Sequence, residues 1–122
     1  MIKVYKNSIG GNLQISKFFS LKEIVCSCGK CNITLIDSEL LLLMDAVRGS
    51  WHLPLTPTSV YRCQAHNSSL DNSSRYSLHQ SGGACDFPLP AIGADEFIAI
   101  CEAIAPFTYH TDTFIHIGLK NS

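Results

Sequence analysis

The sequence has little charge of either sign and no run of basic residues. Of its 122 residues, nine are lysine or arginine and ten are aspartate or glutamate, which gives a formal net charge of −1 at pH 7. Proteins that bind nucleic acid concentrate lysine and arginine on one surface to neutralise phosphates. We therefore expect no nucleic-acid partner.

Long hydrophobic runs are also missing. No stretch approaches the ~20 apolar residues that cross a bilayer, and residues 40–44 have only the length of a helix core. Residues 1–16 contain no apolar block of the kind that a secretory signal requires. We therefore expect no membrane partner and a protein that is made in the cytoplasm and leaves it only by release or by another route.

Length and composition fit one folded domain, residues 1–122, because 46% of the residues are hydrophobic and 16% are charged. The patterns predict strands at 1–5, 58–62, 83–87 and 113–119, short helices after Ser20 and at 64–70, and longer helices at 39–51 and 94–105. This order lacks βαβ regularity. It predicts an α+β fold with a central, mostly antiparallel sheet and flanking helices.

Two apolar faces at helical spacing indicate where the longer helices pack. The predicted core faces are Leu40, Leu43, Met44 and Val47 on the first helix, and Phe97, Ile100, Cys101 and Ile104 on the second.

The residues best suited to chemistry are His79, Asp86 and His116. A glycine turn separates His79 from Asp86 and can return both side chains to one point, and the strand 113–119 supplies His116. Two imidazoles and one carboxylate leave a fourth position of a zinc ion open, as catalytic zinc sites do. The sequence therefore predicts a Zn²⁺ site with these three ligands.

Four segments of the sequence, in order, are similar to one known family. They are residues 18–23, the Tyr61-Arg62-Cys63 segment with His66-Asn67, the S-x-H-x-x-G-x-A-x-D pattern from Ser77 to Asp86, and Phe114-Ile115-His116-Ile117. Together they resemble the zinc D-alanyl-D-alanine carboxypeptidases. That family includes the phage L-alanyl-D-glutamate endolysins and shares its fold with the hedgehog signalling domain.

The resemblance implies a zinc-dependent peptidase that cleaves the peptide stems of bacterial peptidoglycan. It also implies that Arg62 steadies the substrate carbonyl or the developing oxyanion. The likeness to the phage branch suggests an endolysin or a virion-associated protein, acting on the cell wall after release or within a phage particle alongside other virion proteins. The alternative is a non-catalytic zinc-binding structural module of a phage particle that retains the fold.

The general base is the part of the family pattern that this sequence does not reproduce. The positions at which relatives carry a carboxylate hold Thr113, His110 and Gly118. If residues 110–118 form one regular strand, alternate side chains share a face with His116. On that premise Asp112 and His110 are the candidate bases, with Asp112 preferred because it is a carboxylate.

The six cysteines include a C-x-C-x-x-C group formed by Cys26, Cys28 and Cys31. Three interpretations stay open for it: a second zinc site completed by Cys63, a disulfide formed after release, or buried free thiols. Cys85 and Cys101 are predicted to pack in the core.

Overall fold

The computed structural model describes residues 1–70 and 77–121. The strands are β1 (Ile2–Lys6), β2 (Ile33–Asp37), β3 (Ala84–Pro88), β4 (Phe107–His110) and β5 (Phe114–Gly118); the α-helices are α1 (Ser38–Ser50), α2 (Gln64–Ser69) and α3 (Ala94–Ile104). Short 3₁₀ turns cover Asn7–Ile9, Leu21–Glu23 and Leu78–Ser81. The α+β class with antiparallel sheets is confirmed.

The strands are distributed over two sheets. β1 and β2 form an antiparallel pair, and the second sheet has the order β3-β5-β4, again antiparallel. Neither β2 nor β4 was predicted from the sequence. The predicted strand at 58–62 is wrong, because that segment makes only an isolated bridge, between Ser59 and Asp86.

Local sequence explains where the helices begin. The Asp37 side chain accepts a hydrogen bond from the Glu39 amide at 2.9 Å and so caps α1. Ser20 and Glu23 complete a capping box at the Leu21–Glu23 turn, as their spacing predicts. Gly93, in the left-handed conformation, precedes α3.

The main core lies between α1, α3 and one face of the β3-β5-β4 sheet. Trp51, at the end of α1, packs edge-on against Phe97 of α3 with ring centroids 5.2 Å apart, and Phe97 meets Phe87 of β3 at 6.2 Å. On α1 the fully covered face includes Leu41 in place of the predicted Leu43, which is half-buried. Cys101 is fully buried in this core.

Alternation along β3 and β5 gives their sheet a core face and a polar face. Cys85 and Ile117 are register partners on the core face and are fully buried. Asp86 and His116 are register partners on the opposite face. The predicted ligands Asp86 and His116 therefore lie on strands whose other face is packed in the core. Across residues 1–70 and 77–121, none of the helices has the length and apolarity needed to span a bilayer.

Candidate metal centre

The paired strands β3 and β5 bring Asp86 and His116 together. In the antiparallel register the two residues lie directly opposite each other. The Nδ1 atom of His116 is 2.9 Å from Oδ1 of Asp86, and the imidazole is 3% exposed. Their approach is fixed by the sheet and needs no flexible loop.

His79 reaches the same point from the Leu78–Ser81 turn. Ser77 caps that turn by accepting a hydrogen bond from the His79 amide at 3.2 Å. The buried His79 ring places Nδ1 2.7 Å from the carbonyl oxygen of Val60. A carbonyl only accepts, so Nδ1 carries the proton and the lone pair is on Nε2.

The Nε2 atom of His79 is therefore a free ligand atom that points at Asp86. It is 3.4 Å from Oδ1 of Asp86, and it is buried without a hydrogen-bond partner among residues 1–70 and 77–121. A buried, unsatisfied lone pair is costly unless something occupies it. A cation between His79, Asp86 and His116 removes that cost.

Gly82 explains why the His79 turn needs a glycine. Its φ of +75° lies in the left-handed region, and a Cβ atom there would overlap the carbonyl oxygen of Leu35 and the Cα atom of Ile36 in β2. The Gly82 carbonyl accepts a hydrogen bond from the Asp37 amide at 3.0 Å. The glycine thus lets the His79 turn lie directly against β2.

The three candidate ligand atoms lie close enough together to contact one zinc ion. A tetrahedral ion bound at ~2.1 Å separates its ligand atoms by about 3.4 Å. The measured separations from Asp86 are 3.4 Å and 2.9 Å, and all three atoms lie within 4.8 Å of one another. Burial alone would raise the pKa of Asp86, but the close approach of the His116 and His79 imidazoles outweighs burial and lowers it to about 2. Asp86 is therefore an anionic oxygen donor at neutral pH.

Arg62 lies at the edge of this ligand group. Its amide donates to the carbonyl of His79 at 3.0 Å, and its Nη2 atom is 3.5 Å from the Ser77 hydroxyl oxygen. Its Nε atom is buried and has no hydrogen-bond partner within the described part of the chain. The guanidinium is thus anchored at one end and retains a donor for a further group.

Tyr109 is a site residue that the sequence patterns did not identify. It pairs with His116 across β4 and β5, and the two rings stack with centroids 4.7 Å apart and planes 16° apart. Burial raises the pKa of Tyr109 and the charge of Asp86 adds to the rise, while Arg62 opposes it. The phenol therefore keeps its proton at neutral pH and can donate a hydrogen bond. Had β4 been predicted as a strand, its pairing with β5 would have placed Tyr109 beside His116.

The structure does not bring His110 and Asp112 to the ligand group. Residues 110–118 are not one strand, because the chain reverses after β4 and the Thr111 amide bonds to the Phe114 carbonyl at 2.9 Å. His110 pairs with Ile115 and so lies on the opposite face of the sheet from His116. Asp112 is exposed at the turn, three register positions or roughly 10 Å from His116 along the hairpin. The strand premise behind these two candidate bases is wrong.

Two imidazoles and a carboxylate, converging beside an arginine on an α+β domain, define the chain as a candidate metallopeptidase. Comparison with protein families gives a match over residues 17–118 to the family described as Peptidase M15. The chain belongs to the peptidase M15 family, whose members are zinc peptidases. Comparisons with curated proteins and with solved structures give no match.

Proposed function

We propose that this member of the peptidase M15 family is a zinc-dependent peptidase that hydrolyses the peptide stems of bacterial peptidoglycan. The observation that carries the proposal is the buried Nε2 lone pair of His79, aimed at Asp86 with no hydrogen-bond partner among the described residues. Family membership supports peptide hydrolysis, and the ligand geometry supports its metal dependence.

In this proposal His79, Asp86 and His116 hold the zinc. Imidazole nitrogen and carboxylate oxygen suit Zn²⁺, and three ligands leave a position for water or substrate. When bound, zinc lowers the pKa of a water molecule and polarises a carbonyl. The Val60 carbonyl and the Ser77 cap hold the His79 ring in the tautomer and orientation that ligation requires.

Arg62 and Tyr109 bind and orient the scissile carbonyl. Arg62 is permanently charged and has an unused buried donor, so it stabilises negative charge that develops on the carbonyl oxygen. Tyr109 is stacked on His116 at the rim and is 45% exposed, which leaves its hydroxyl accessible to a peptide. Both groups donate and neither can accept the proton of the attacking water.

Removal of the proton from the attacking water requires the hairpin between β4 and β5 to change its conformation. Asp112 and His110 stay the candidate bases, but the hairpin between β4 and β5 holds them away from the ligands. For Asp112 to act, the turn at 111–113 has to fold toward His116 when substrate binds, as mobile loops do in other enzymes.

We further propose a phage setting for this activity. Resemblance to the phage branch of the family supports an endolysin or a virion-associated protein, with other virion proteins as neighbours in the particle. The protein would be made in the cytoplasm and reach the wall after release or within the particle. Its partner there is the peptidoglycan peptide stem.

The second candidate function is a non-catalytic zinc-binding module of a phage particle. The specific observation in its favour is the position of Asp112 and His110 outside the ligand group. Such a module would keep the zinc and the fold but not turn over substrate.

Digestion of purified peptidoglycan tests the proposal. The zinc-loaded protein should release new amino or carboxyl termini from wall peptides, and chelation should abolish the release until zinc is restored. Mass spectrometry of the muropeptides identifies the bond that is cleaved. A protein that is folded and zinc-loaded yet inert on several peptidoglycan chemotypes would establish the binding module instead.

A further inference from the structure

Four cysteines outside the His79 site converge on a single point. Cys26, Cys28 and Cys31 come from the loop before β2, and Cys63 comes from the N-terminus of α2, 37 residues after Cys26. Their sulfur atoms all lie within 4.8 Å of one another. We refer to these four residues as the cysteine cluster.

The spacing of the sulfur atoms is that of one tetrahedral ion. A zinc ion bound to thiolates at ~2.3 Å separates its ligands by about 3.8 Å. The Sγ–Sγ distances are 3.8 Å for Cys26–Cys63, 3.9 Å for Cys28–Cys63 and 3.3 Å for Cys28–Cys31. A disulfide would join two of these atoms at ~2.05 Å and leave the other two without a partner. Because all four sulfur atoms lie within 4.8 Å of one another, a single ion can contact all of them.

Backbone amides donate hydrogen bonds to three of the four sulfur atoms. The amide of Lys30 donates to Cys28, that of Cys63 to Cys26, and that of His66 to Cys63, at 3.4–3.5 Å. Such bonds stabilise the charged form of an acceptor. Thiolates this close repel one another unless a cation lies between them.

The local backbone is built to bring the ligands together. Gly29, with φ of +72°, turns the chain between Cys28 and Cys31, which have the C-x-x-C spacing common in structural zinc sites. Cys63 caps α2 and is held by that helix. No rearrangement of the chain is required for all four to bind one ion.

We propose that the cysteine cluster binds a second, structural Zn²⁺ ion through four thiolates. Four protein ligands close the coordination shell, so this ion has no position for substrate. It fastens the loop 26–31 to residue 63, and the neighbouring Arg62 bonds to the His79 carbonyl. The second zinc therefore stabilises the segment that borders the peptidase centre. The proposal does not depend on the peptidase activity.

Zinc counting with matched variants tests the proposal. The wild-type protein, purified with reductant and without chelator, should contain two zinc ions per chain. Cys28→Ser and Cys31→Ser should each lose one, with a fall in Tm of more than about 5 °C. The control Cys101→Ala removes a cysteine from the core and should keep both. A zinc content that falls to zero in His79→Ala, or one that is unchanged in both cysteine variants, would overturn the proposal.

A measurement on His79→Ala avoids any dependence on whether the cysteine variants fold. This variant should retain only the second ion, and X-ray absorption should then give four sulfur ligands at ~2.3 Å. Cobalt substitution should give the sulfur-to-metal charge-transfer band of a tetrathiolate site. Nitrogen or oxygen ligands, or iron in place of zinc, would contradict the assignment.

Thiol titration distinguishes the metal from a disulfide. Protein that is purified without reductant, then denatured in chelator, should give six reactive thiols, because all six cysteines are free. Four thiols, with a linkage mapped to Cys28 and Cys31, would establish a redox-active or structural disulfide and exclude the zinc site. Failure here leaves the His79 centre unaffected, and an inert peptidase leaves the second zinc unaffected.

Discussion

His116 and Asp86 are register partners in β5 and β3, and Nδ1 of one lies 2.9 Å from Oδ1 of the other. Two ligands that are 30 residues apart in sequence are thus held by backbone hydrogen bonds of a central sheet. Only the third, His79, depends on a turn, and that turn is packed against β2 through Gly82. The three candidate ligands are therefore brought together by the fold before any metal binds, which lowers the cost of binding.

The zinc count should identify the ligands of the peptidase centre. His79→Ala and His116→Ala each remove one of three ligands, and we expect each to lose one zinc per chain in elemental analysis. His52→Ala is the matched control, because that exposed imidazole contacts only the ring of Trp51 among the ring contacts described and should leave the count unchanged. Unaltered zinc in both ligand variants would refute the assignment.

Arg62→Ala should lower kcat about 10²–10³-fold while zinc content is retained, because the guanidinium acts when charge develops on the carbonyl oxygen. Arg62→Lys should recover only part of the loss, since lysine lacks the planar donor fork. The control Arg48→Ala removes an arginine that bonds to the Trp51 carbonyl, and turnover should be unaffected. A change in KM alone would assign Arg62 to substrate binding.

Asp112→Asn and His110→Ala, compared on one wall substrate, should locate the base. If the hairpin folds toward the zinc, replacing the residue that accepts the proton should lower turnover about 10²–10⁴-fold, which corresponds to about 3–5 kcal/mol. Replacing the other residue should change turnover little. If the hairpin keeps the geometry described here, both losses should stay below about threefold. Zinc analysis and thermal melts on the same samples check that metal and fold are intact.

Gly82→Ala should destabilise the protein by more than about 3 kcal/mol, because a left-handed φ costs an L-residue about 1–2 kcal/mol and the Cβ atom also overlaps β2. Gly29→Ala is the control. Its φ is +72°, but a Cβ atom there meets nothing within 4 Å, so only the backbone term of about 1–2 kcal/mol applies. Urea unfolding in zinc-saturated buffer measures both, and equal losses would mean that β2 yields to the methyl group.

The sequence by itself determined the elements whose signals are local. The apolar spacing and caps predicted α1 and α3 because helical contacts join residues three or four apart. The pattern at residues 83–87 predicted β3, which spans Ala84–Pro88. The pattern from Ser77 to Asp86 predicted a family, which the match over residues 17–118 confirms.

Only the tertiary structure decided relationships that depend on strand pairing. β4 has no decisive local signal, and without it the turn at 111–113 and the stacking of Tyr109 on His116 are not predictable. Tertiary packing also brought Cys63 to Cys26. The two residues lie 37 positions apart in sequence, but their sulfur atoms are 3.8 Å apart. Pairing is fixed by the packing of a whole sheet on its core, and no short window of sequence contains that information.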